Sequence, residues 1–551
     1  MKRTLLFVAV AMTCIAGMAQ SKTVELTTAG QLSANISSSE KYAITELTVK
    51  GELNGQDIAF IRDMAGKSEE GETTEGQLQM LDLSEASIVA GGIYYTNMQS
   101  AVEYEAEANV VGDNMFRELN LTEVKLPAGI TTIGKQAFYK SANLTTVTGV
   151  ENVANLGEAA FESCEKLDGV VLNASLTELP KGLFRRCSSL SITLPAGITS
   201  LSEECLYGCK LEGFTLPEGL VTIGKGALQS TGLTALTLPA SVRELESEAL
   251  YSCDNLAELN LNEGLEIIGE NALAYNRAAK KFVIPTTVTT IGASAMANCR
   301  ALEEVVLFRG ITAIPDYCFD RCQKLTTVNI PSTVTTIGER AFQMCYALEA
   351  IELPDGVESI GDGAFSSCEG LAAIDLPTSL TYIGNSAFEW TGLTEVVIPE
   401  GITRLGTESV SFWDPTGMVF SNCANLKKVD LPSTITALGM QTFDGCPLEN
   451  LIVRAMTPPD PDFGGFTSPF GFDDSIFENC TVHVPAGALA NYKNDSGWGQ
   501  FMNIVEDVAT SISAIDHSTT TAGKCYNLNG QRVNAPVKGI NIVGGKKVLV
   551  K

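Results

Sequence analysis

Ten cysteines, Cys164, Cys187, Cys209, Cys253, Cys299, Cys322, Cys345, Cys368, Cys423 and Cys446, return at or near one spacing along this chain. Thiols on a fixed period can crosslink successive turns of chain or gather a metal ion. Two observations weigh against both. In other copies of the pattern the same position holds Ser141, Thr231, Asn276 or Thr391, so a small, mildly polar side chain suffices. Equivalent atoms on stacked rungs would also lie ~4.8 Å apart, beyond the ~3.5–4.5 Å between β-carbons that a disulfide requires. Cys205/Cys209 and Cys318/Cys322 have a ligand-like spacing, but no histidine stands near them to complete a zinc set. The expectation is buried free thiols, with no metal and no cofactor.

Other catalytic groups are thin. The two histidines, His483 and His517, have no nucleophile pattern beside them. "GLVTIGKG" at 219–226 and "GITTIGKQ" at 129–136 approach a phosphate-binding loop but lack the hydroxyl residue that follows its lysine. The same frame elsewhere reads "GVESIGDG" and "GLEIIGEN", with an acid in place of the lysine, so these glycines read as turn residues. Carboxylates such as Glu352, Asp362 and Asp375 sit at variable outward positions, as on a solvated face. A dispersed carboxylate pair leaves no local motif, so a secreted carboxylate-dependent hydrolase stays open as an alternative. No enzyme is expected. With 65 acidic against 37 basic residues and a formal charge of −28, the chain repels phosphate backbones and anionic lipid, so neither nucleic acid nor a membrane surface is expected as a partner.

The elements that place these groups follow from a repeat. "STVTTIGERAFQMCYALEAIELPDGVESIGDGAFSSCEG" at 332–370 nearly rewrites itself 23 residues on: Ile337-Gly338 returns as Ile360-Gly361, and Ala341-Phe342 as Ala364-Phe365. Units open at Leu121, Leu144, Leu167, Leu190, Leu211, Leu233, Leu256, Ala279, Leu302, Leu325, Leu348, Leu371, Leu393 and Leu426. Within the unit at Leu325 the apolar positions are Leu325, Val328, Ile330, Val334, Ile337, Ala341 and Phe342. The alternation in "LTTVNI" gives a short strand. Pro331 ends it, having no N–H to give a neighbouring rung. "TVTTIG" makes a second extended piece, Gly338 permits the turn after it, and "ERAFQMC" reads as about two helical turns.

One such coil cannot stand alone. Its seven apolar side chains contribute roughly 10–21 kcal/mol when buried, while ordering its backbone costs roughly 23–46 kcal/mol. Stacking supplies the remainder, and fourteen rungs would extend roughly 65 Å. The fold class expected is an α/β repeat: a right-handed leucine-rich-repeat solenoid with short parallel strands and short helices, plus a small all-β C-terminal tail.

The ends need covers. Residues 20–77 read as an N-terminal cap, 78–480 as the solenoid beginning with a degenerate coil, and 481–507 as a C-terminal cap of strand, Pro turn and amphipathic helix. A linker at 508–523 precedes a β tail at 524–551, where Asn529-Gly530 and Gly544-Gly545 signal hairpins. "MKRTLLFVAVAMTCIAGMAQ" opens the chain with a cationic start, an apolar run too short to span a bilayer and a small-residue exit. Residues 1–19 therefore read as a signal peptide, and Cys14 raises a lipoprotein alternative that Ala11-Met12-Thr13 fits poorly.

The unit in Leu348–Cys368 resembles the BspA-like leucine-rich repeat of bacterial surface proteins, and the resemblance covers about 78–504. The tail, with "YNLNGQRV" and "KGINIVGGKKVLVK", resembles the C-terminal sorting domains read by type IX secretion systems; an ordinary β module is its alternative. The first resemblance implies an exported, cell-surface or extracellular protein concerned with adhesion and host-protein binding.

Outward strand positions include Glu123, Lys125, Glu304, Val306, Ala350, Glu352, Lys428 and Asp430. The insertion "TESVSFWDPTGMV" at 407–419 carries Phe412 and Trp413, the ligand-binding candidates, because aromatic anchors carry much of the energy in interfaces. Those aromatics could equally pack the loop back on the coils. The reading is a monomeric recognition or adhesion protein that binds an extracellular protein or glycan through the solenoid face and inserted loops, without membrane insertion. A purely structural surface scaffold is a further alternative.

Overall fold

The computed structural model describes residues 20–406, 417–461 and 475–508, together with the tail strands Cys525–Asn527, Arg532–Val533, Gly539–Val543 and Lys546–Val550. The chain divides into two compact units, one ending at Leu233 and the other beginning at Thr234. The expected signal peptide lies outside the described residues, as does nearly all of the expected linker.

In the first unit, β1 (Ser21–Leu26), β2 (Glu46–Leu53) and β3 (Met80–Asp82) form one parallel sheet that continues through Glu123–Lys125 and Thr146–Thr148. β4 (Ala86–Ile88) extends the pairing along β2. Leu81, Val124 and Val147 are in register and all buried, so the strands present a period-two apolar face inward. The insertion in the degenerate first coil is an antiparallel hairpin of β5 (Ile93–Asn97) and β6 (Val102–Glu105). β7 (Val110–Val111) then pairs with Thr132–Ile133, which pairs with Asn155–Leu156, forming the second side of the coils. Between the two sides the proline carbonyl closes a turn, as when Ile130 N–H donates to Pro127 O at 3.2 Å.

The second unit repeats this plan. Glu395–Val397, Lys428–Leu431, Asn450–Val453, Thr481–Pro485 and Asn503–Val508 form one parallel sheet. Ala313–Ile314, Thr336–Ile337, Ser359–Ile360 and Tyr382–Ile383 form a strip on the second side.

The third side departs from the sequence reading. Residues 339–345, expected as about two helical turns, contain no helix. The N–H groups of Arg340, Phe342 and Met344 donate instead to Asp362 O, Ala364 O and Ser366 O of the next coil, at 2.8–2.9 Å. The alternate amides of Ala341, Gln343 and Cys345 close turns onto Gly338, Arg340 and Phe342. Arg340 and Met344 therefore sit in the left-handed region, at φ 48° and 58°. That conformation costs roughly 1–2 kcal/mol per residue, which the inter-coil bonds offset. A helix would spend every amide along its own axis and leave this side of the stack unjoined.

Gly338 also has a different reason from the one expected. Its backbone is not left-handed; a Cβ there would lie 2.6 Å from the Asp316 backbone nitrogen. Gly361 repeats this, 2.7 Å from Glu339 N. The glycine column exists because neighbouring backbones touch.

Phenylalanine rings fill the core behind this third side. Phe116, Phe138, Phe161 and Phe184 stack at centroid spacings of 5.1–5.5 Å in the first unit. Phe319, Phe342, Phe365, Phe388, Phe420 and Phe443 stack at 5.2–5.9 Å in the second.

The N-terminal residues close the first coil chemically. α1 (Leu32–Asn35) is a single turn, and α2 (Gly55–Met64) begins at a capping box between Asn54 and Asp57. Arg62 on α2 is 1% exposed and donates to Asn114 O at 3.1 Å and Met115 O at 2.8 Å. Tyr94 O–H donates to Asp113 O at 2.9 Å. Asp113 O and Met115 O are the carbonyls that in the next coil, at Lys135 and Ala137, accept from the preceding rung, while Asn114 O also accepts Arg117 N–H of its own coil. Burial pulls the Arg62 guanidinium down to about 10, so it remains charged at neutral pH, 4.7 Å from the Tyr95 ring centroid.

At the other end stand strand Thr481–Pro485, helix Leu489–Asn494 and strand Asn503–Val508, the last not among the elements expected there. Buried Trp498 donates its indole N–H to Pro459 O at 2.9 Å. The tail strands form a four-stranded antiparallel sheet, with Arg532–Val533, Cys525–Asn527, Gly539–Val543 and Lys546–Val550 in spatial order. The pairs on either side of Asn529-Gly530 and Gly544-Gly545 are antiparallel, as hairpin turns require.

Candidate interaction surface

The periodic thiols come first. The thirteen cysteines whose side chains are described are all free and buried. The repeat cysteines Cys164, Cys187, Cys209, Cys299, Cys322, Cys345, Cys368, Cys423 and Cys446 share one bond: each thiol lies 3.0–3.2 Å from the core-residue carbonyl of the coil before, as Cys345 does to Phe319 O and Cys368 to Phe342 O. Phe319 O and Phe342 O already accept an amide from their own coil, Cys322 N and Cys345 N, so there the thiol meets the second lone pair. Ser141 does the same to Phe116 O at 2.8 Å, which is why serine can stand in the column. Burial pushes the Cys299 and Cys368 thiols up to about 12, so neither is a nucleophile at neutral pH. Among the described residues no group of three metal-ligating side chains occurs.

The remaining chemical leads are absorbed by the coils. A Cβ on Gly224, inside the phosphate-loop look-alike, would lie 2.5 Å from Leu201 O. His483 spends both ring nitrogens, Nδ1 at 2.9 Å from the Asp507 carboxylate and Nε2 at 3.2 Å from Asn450 Oδ1. Asp362 is half-buried and accepts from Asn385 N at 2.9 Å on the next coil, a joint between rungs.

The strand face is largely paired with itself. Lys125 meets Asp82 at 3.0 Å, Lys281 meets Glu304 at 2.9 Å and Lys428 meets Glu395 at 3.3 Å, each across one coil. Asp430 is a correction to its outward reading: it is buried, with both carboxylate oxygens held by the Arg454 fork at 2.7 and 2.8 Å. The next coil folds a long cation over it, which strand alternation cannot foretell. Ala350 and Glu352 are exposed, Glu123, Glu304 and Val306 half-buried. Val283, in register with Val306, is also exposed.

Phe412 and Trp413 lie outside the described residues. The root of their insertion is described. It leaves at Gly406 and returns at Gly417, both left-handed, with φ 76° and 111°. A Cβ on Gly406 would lie 2.7 Å from the Gly417 Cα, so the two ends of the insertion touch. The coil therefore continues as though uninterrupted: Ser386 N–H donates to Gly417 O, and Asn385 Oδ1 accepts from Gly417 N, both at 2.8 Å.

On the same third side, one coil earlier, stands a residue that the sequence reading missed. Trp390 is 51% exposed and left-handed at φ 57°. Its backbone N–H donates to Ser421 O, and Ser367 N–H donates to Glu389 O, so the flanking coils place Ser367 and Asn422 beside it. Glu389 is half-buried; burial raises its carboxyl, while hydrogen bonds from Ser386 and Trp390 pull the other way. Equivalent positions elsewhere hold Ser163, Ser252 and Asn298, where a small polar residue suits a left-handed backbone. A tryptophan in "AFEWTG", in a column that mostly holds Ser, Asn, Gly, Lys or Arg and otherwise carries a large side chain at Tyr275 and Met344, was the available signal.

A family model described as the BspA type leucine rich repeat region matches residues 109–211, 177–303, 291–413 and 416–457. Among solved structures, a leucine-rich repeat protein from Bacteroides ovatus is 25% identical with a TM-score of 0.41, the match covering 60% of this chain and 91% of that one. A leucine rich cell surface protein from Faecalibacterium prausnitzii is 24% identical, TM-score 0.33, covering 51% and 83%. The pneumococcal vaccine antigen PcpA is 15% identical, TM-score 0.37, covering 80% and 88%. A search of curated proteins finds no match.

Proposed function

The chain belongs to the BspA-type leucine-rich repeat family, and from that premise we propose that it is an exported surface protein that recognises an extracellular macromolecule. The observation that carries the proposal is the third side around Trp390. There a half-exposed indole occupies a left-handed position one coil from the closed glycine root of an inserted loop that holds two more aromatics. Large aromatic side chains in water cost solubility and are the residues that anchor interfaces. The coils supply a rigid base, and the loop can vary without disturbing it. Binding without catalysis is the activity proposed, since Asp362 and His483 are spent on joints between coils.

The N-terminal residues support export, and the antiparallel tail sheet fits a sorting module; the name of the F. prausnitzii relative points to the cell surface. No described helix is long and apolar enough to cross a membrane. The test is solid-phase binding of the full mature chain to extracellular-matrix proteins and mucins. Trp390→Ala, or Phe412→Ala with Trp413→Ala, should weaken any binding found by tenfold or more, roughly the cost of losing one anchor. Binding left unchanged by both variants would place the partner elsewhere. In the parent cell, deletion of 509–551 should abolish surface display; normal display of the truncated chain rejects the sorting role.

A further inference from the structure

Three successive coils of the first unit open with neutral hydrogen-bonding residues on both sides of the leading leucine. These are Gln77-Leu78-Gln79, Asn120-Leu121-Thr122 and Asn143-Leu144-Thr145. The next coil opens with Lys166-Leu167-Asp168 and restores charge. The leucines are buried, so the flanking residues point outward. The rungs are adjacent: Thr122 N–H donates to Gln79 O at 2.7 Å and Thr145 N–H to Thr122 O at 2.8 Å. Where the columns meet there is an open cleft of about 420 Å³, lined by Gly76, Gln77, Gln79, Asn120, Thr122 and Asn143. No lining residue carries a charge, on a chain whose net charge is −28.

The hydrogen-bonding capacity of this cleft is largely unspent. Among the described residues the side-chain amides of Gln77, Gln79 and Asn120 take part in no hydrogen bond, and Gln77 and Gln79 are exposed. Thr122 donates its hydroxyl to Gln79 O at 3.1 Å and keeps its lone pairs free. Asn143 accepts Lys166 Nζ at 2.8 Å, which occupies the nearest cation and leaves the Asn143 NH2 available. Gly76 packs directly on the backbone beneath the cleft, where a Cβ would run into the carbonyls of Asp63 and Met64, and a Cβ at Gly66 would run into the Asn120 amide.

We infer that this cleft binds a short neutral glycan. A primary amide presents a donor pair and an acceptor side by side, which is what a sugar hydroxyl, itself donor and acceptor, can satisfy from both directions. A lining without ionisable groups offers no cation to pair with a sulfated or sialylated chain, on a surface whose net charge already repels it. It also lies away from any unpaired strand edge, where an extended peptide would add. The volume is within the range of small-ligand sites. This site is separate from the Trp390 surface and does not depend on it.

The test uses the full mature chain, immobilised, against neoglycoproteins bearing short neutral oligosaccharides, with sulfated and sialylated versions and an unglycosylated carrier alongside. Polyvalent display makes weak single-site binding measurable. Retention of one or more neutral glycans is expected, unchanged at high salt because no charges are involved. Gln77→Ala with Gln79→Ala touches no protein contact and should weaken retention about tenfold. Asn120→Asp, which adds a charge at nearly constant volume, should do so too, while Trp390→Ala should leave it unaltered. Retention of only sulfated or sialylated carriers, retention of none, or retention indifferent to both cleft variants overturns the inference. Loss in Trp390→Ala alone would assign glycan binding to the other surface instead.

Discussion

Phe365 lies between Phe342 and Phe388, with centroid distances of 5.3 and 5.4 Å and ring planes 1° and 6° apart. It is wholly buried. Truncation to alanine removes both ring pairs and leaves a cavity that rigid neighbouring coils cannot close, so Phe365→Ala should cost about 3–5 kcal/mol. Phe365→Leu provides the informative comparison, because other coils of the same unit place Leu250, Leu273 and Met296 at this position. Leucine keeps most of the buried area but forfeits two aromatic pairs, each about 0.5–1.5 kcal/mol, so a loss of about 1–3 kcal/mol is expected. Because each coil contacts only its neighbours, the damage should stay local. Hydrogen exchange read by mass spectrometry should show lost protection over 319–420 and little change in the first unit, with urea denaturation giving the magnitude. A cost near zero for Phe365→Leu would deny the stacking contribution. Protection lost evenly along the chain would refute nearest-neighbour stability altogether.

Two more predictions concern buried groups. Arg62→Met keeps an unbranched stem but leaves Met115 O without its donor and removes one of the two donors to Asn114 O, and should cost about 1–3 kcal/mol; exchange over 20–116 should rise while the second unit is unaffected, and unchanged exchange over 20–116 would reject the capping role. The Cys299 and Cys368 thiols should resist alkylation in the native chain and react on unfolding. Their pKa is raised from 9.0 to about 12 in the fold, so the unfolded chain ionises first; their stabilising effect is whole below pH 9 and declines as pH climbs toward 12. Native-state labelling at neutral pH, or alkaline stability unaltered by Cys→Ser at these sites, would contradict this.

Much of this was legible in the chain because it is local and periodic. The leading leucines, the strand alternation around Val328, the proline turns and the order of strand, turn and helix in 481–504 all follow from spacing. The cysteine column read correctly as interchangeable with serine, though its bond to the phenylalanine carbonyl of the preceding coil did not show. "ERAFQMC" misled, because apolar pairs among polar residues look the same whether amides bond within a helix or across coils. Asp430 misled because alternation says which way a side chain leaves its strand, never what the next rung folds over it.

By itself the sequence determined the repeating unit and most of the side chains that enter the core, since these depend on polarity and period. Tertiary structure decided where half of the third-side amides go, why glycine must sit at Gly338, how buried Arg62 closes the first coil, and which exposed residues share a surface. Those outcomes depend on the approach of one coil to the next, and residues brought together across 23 or more positions have no common signature along the chain.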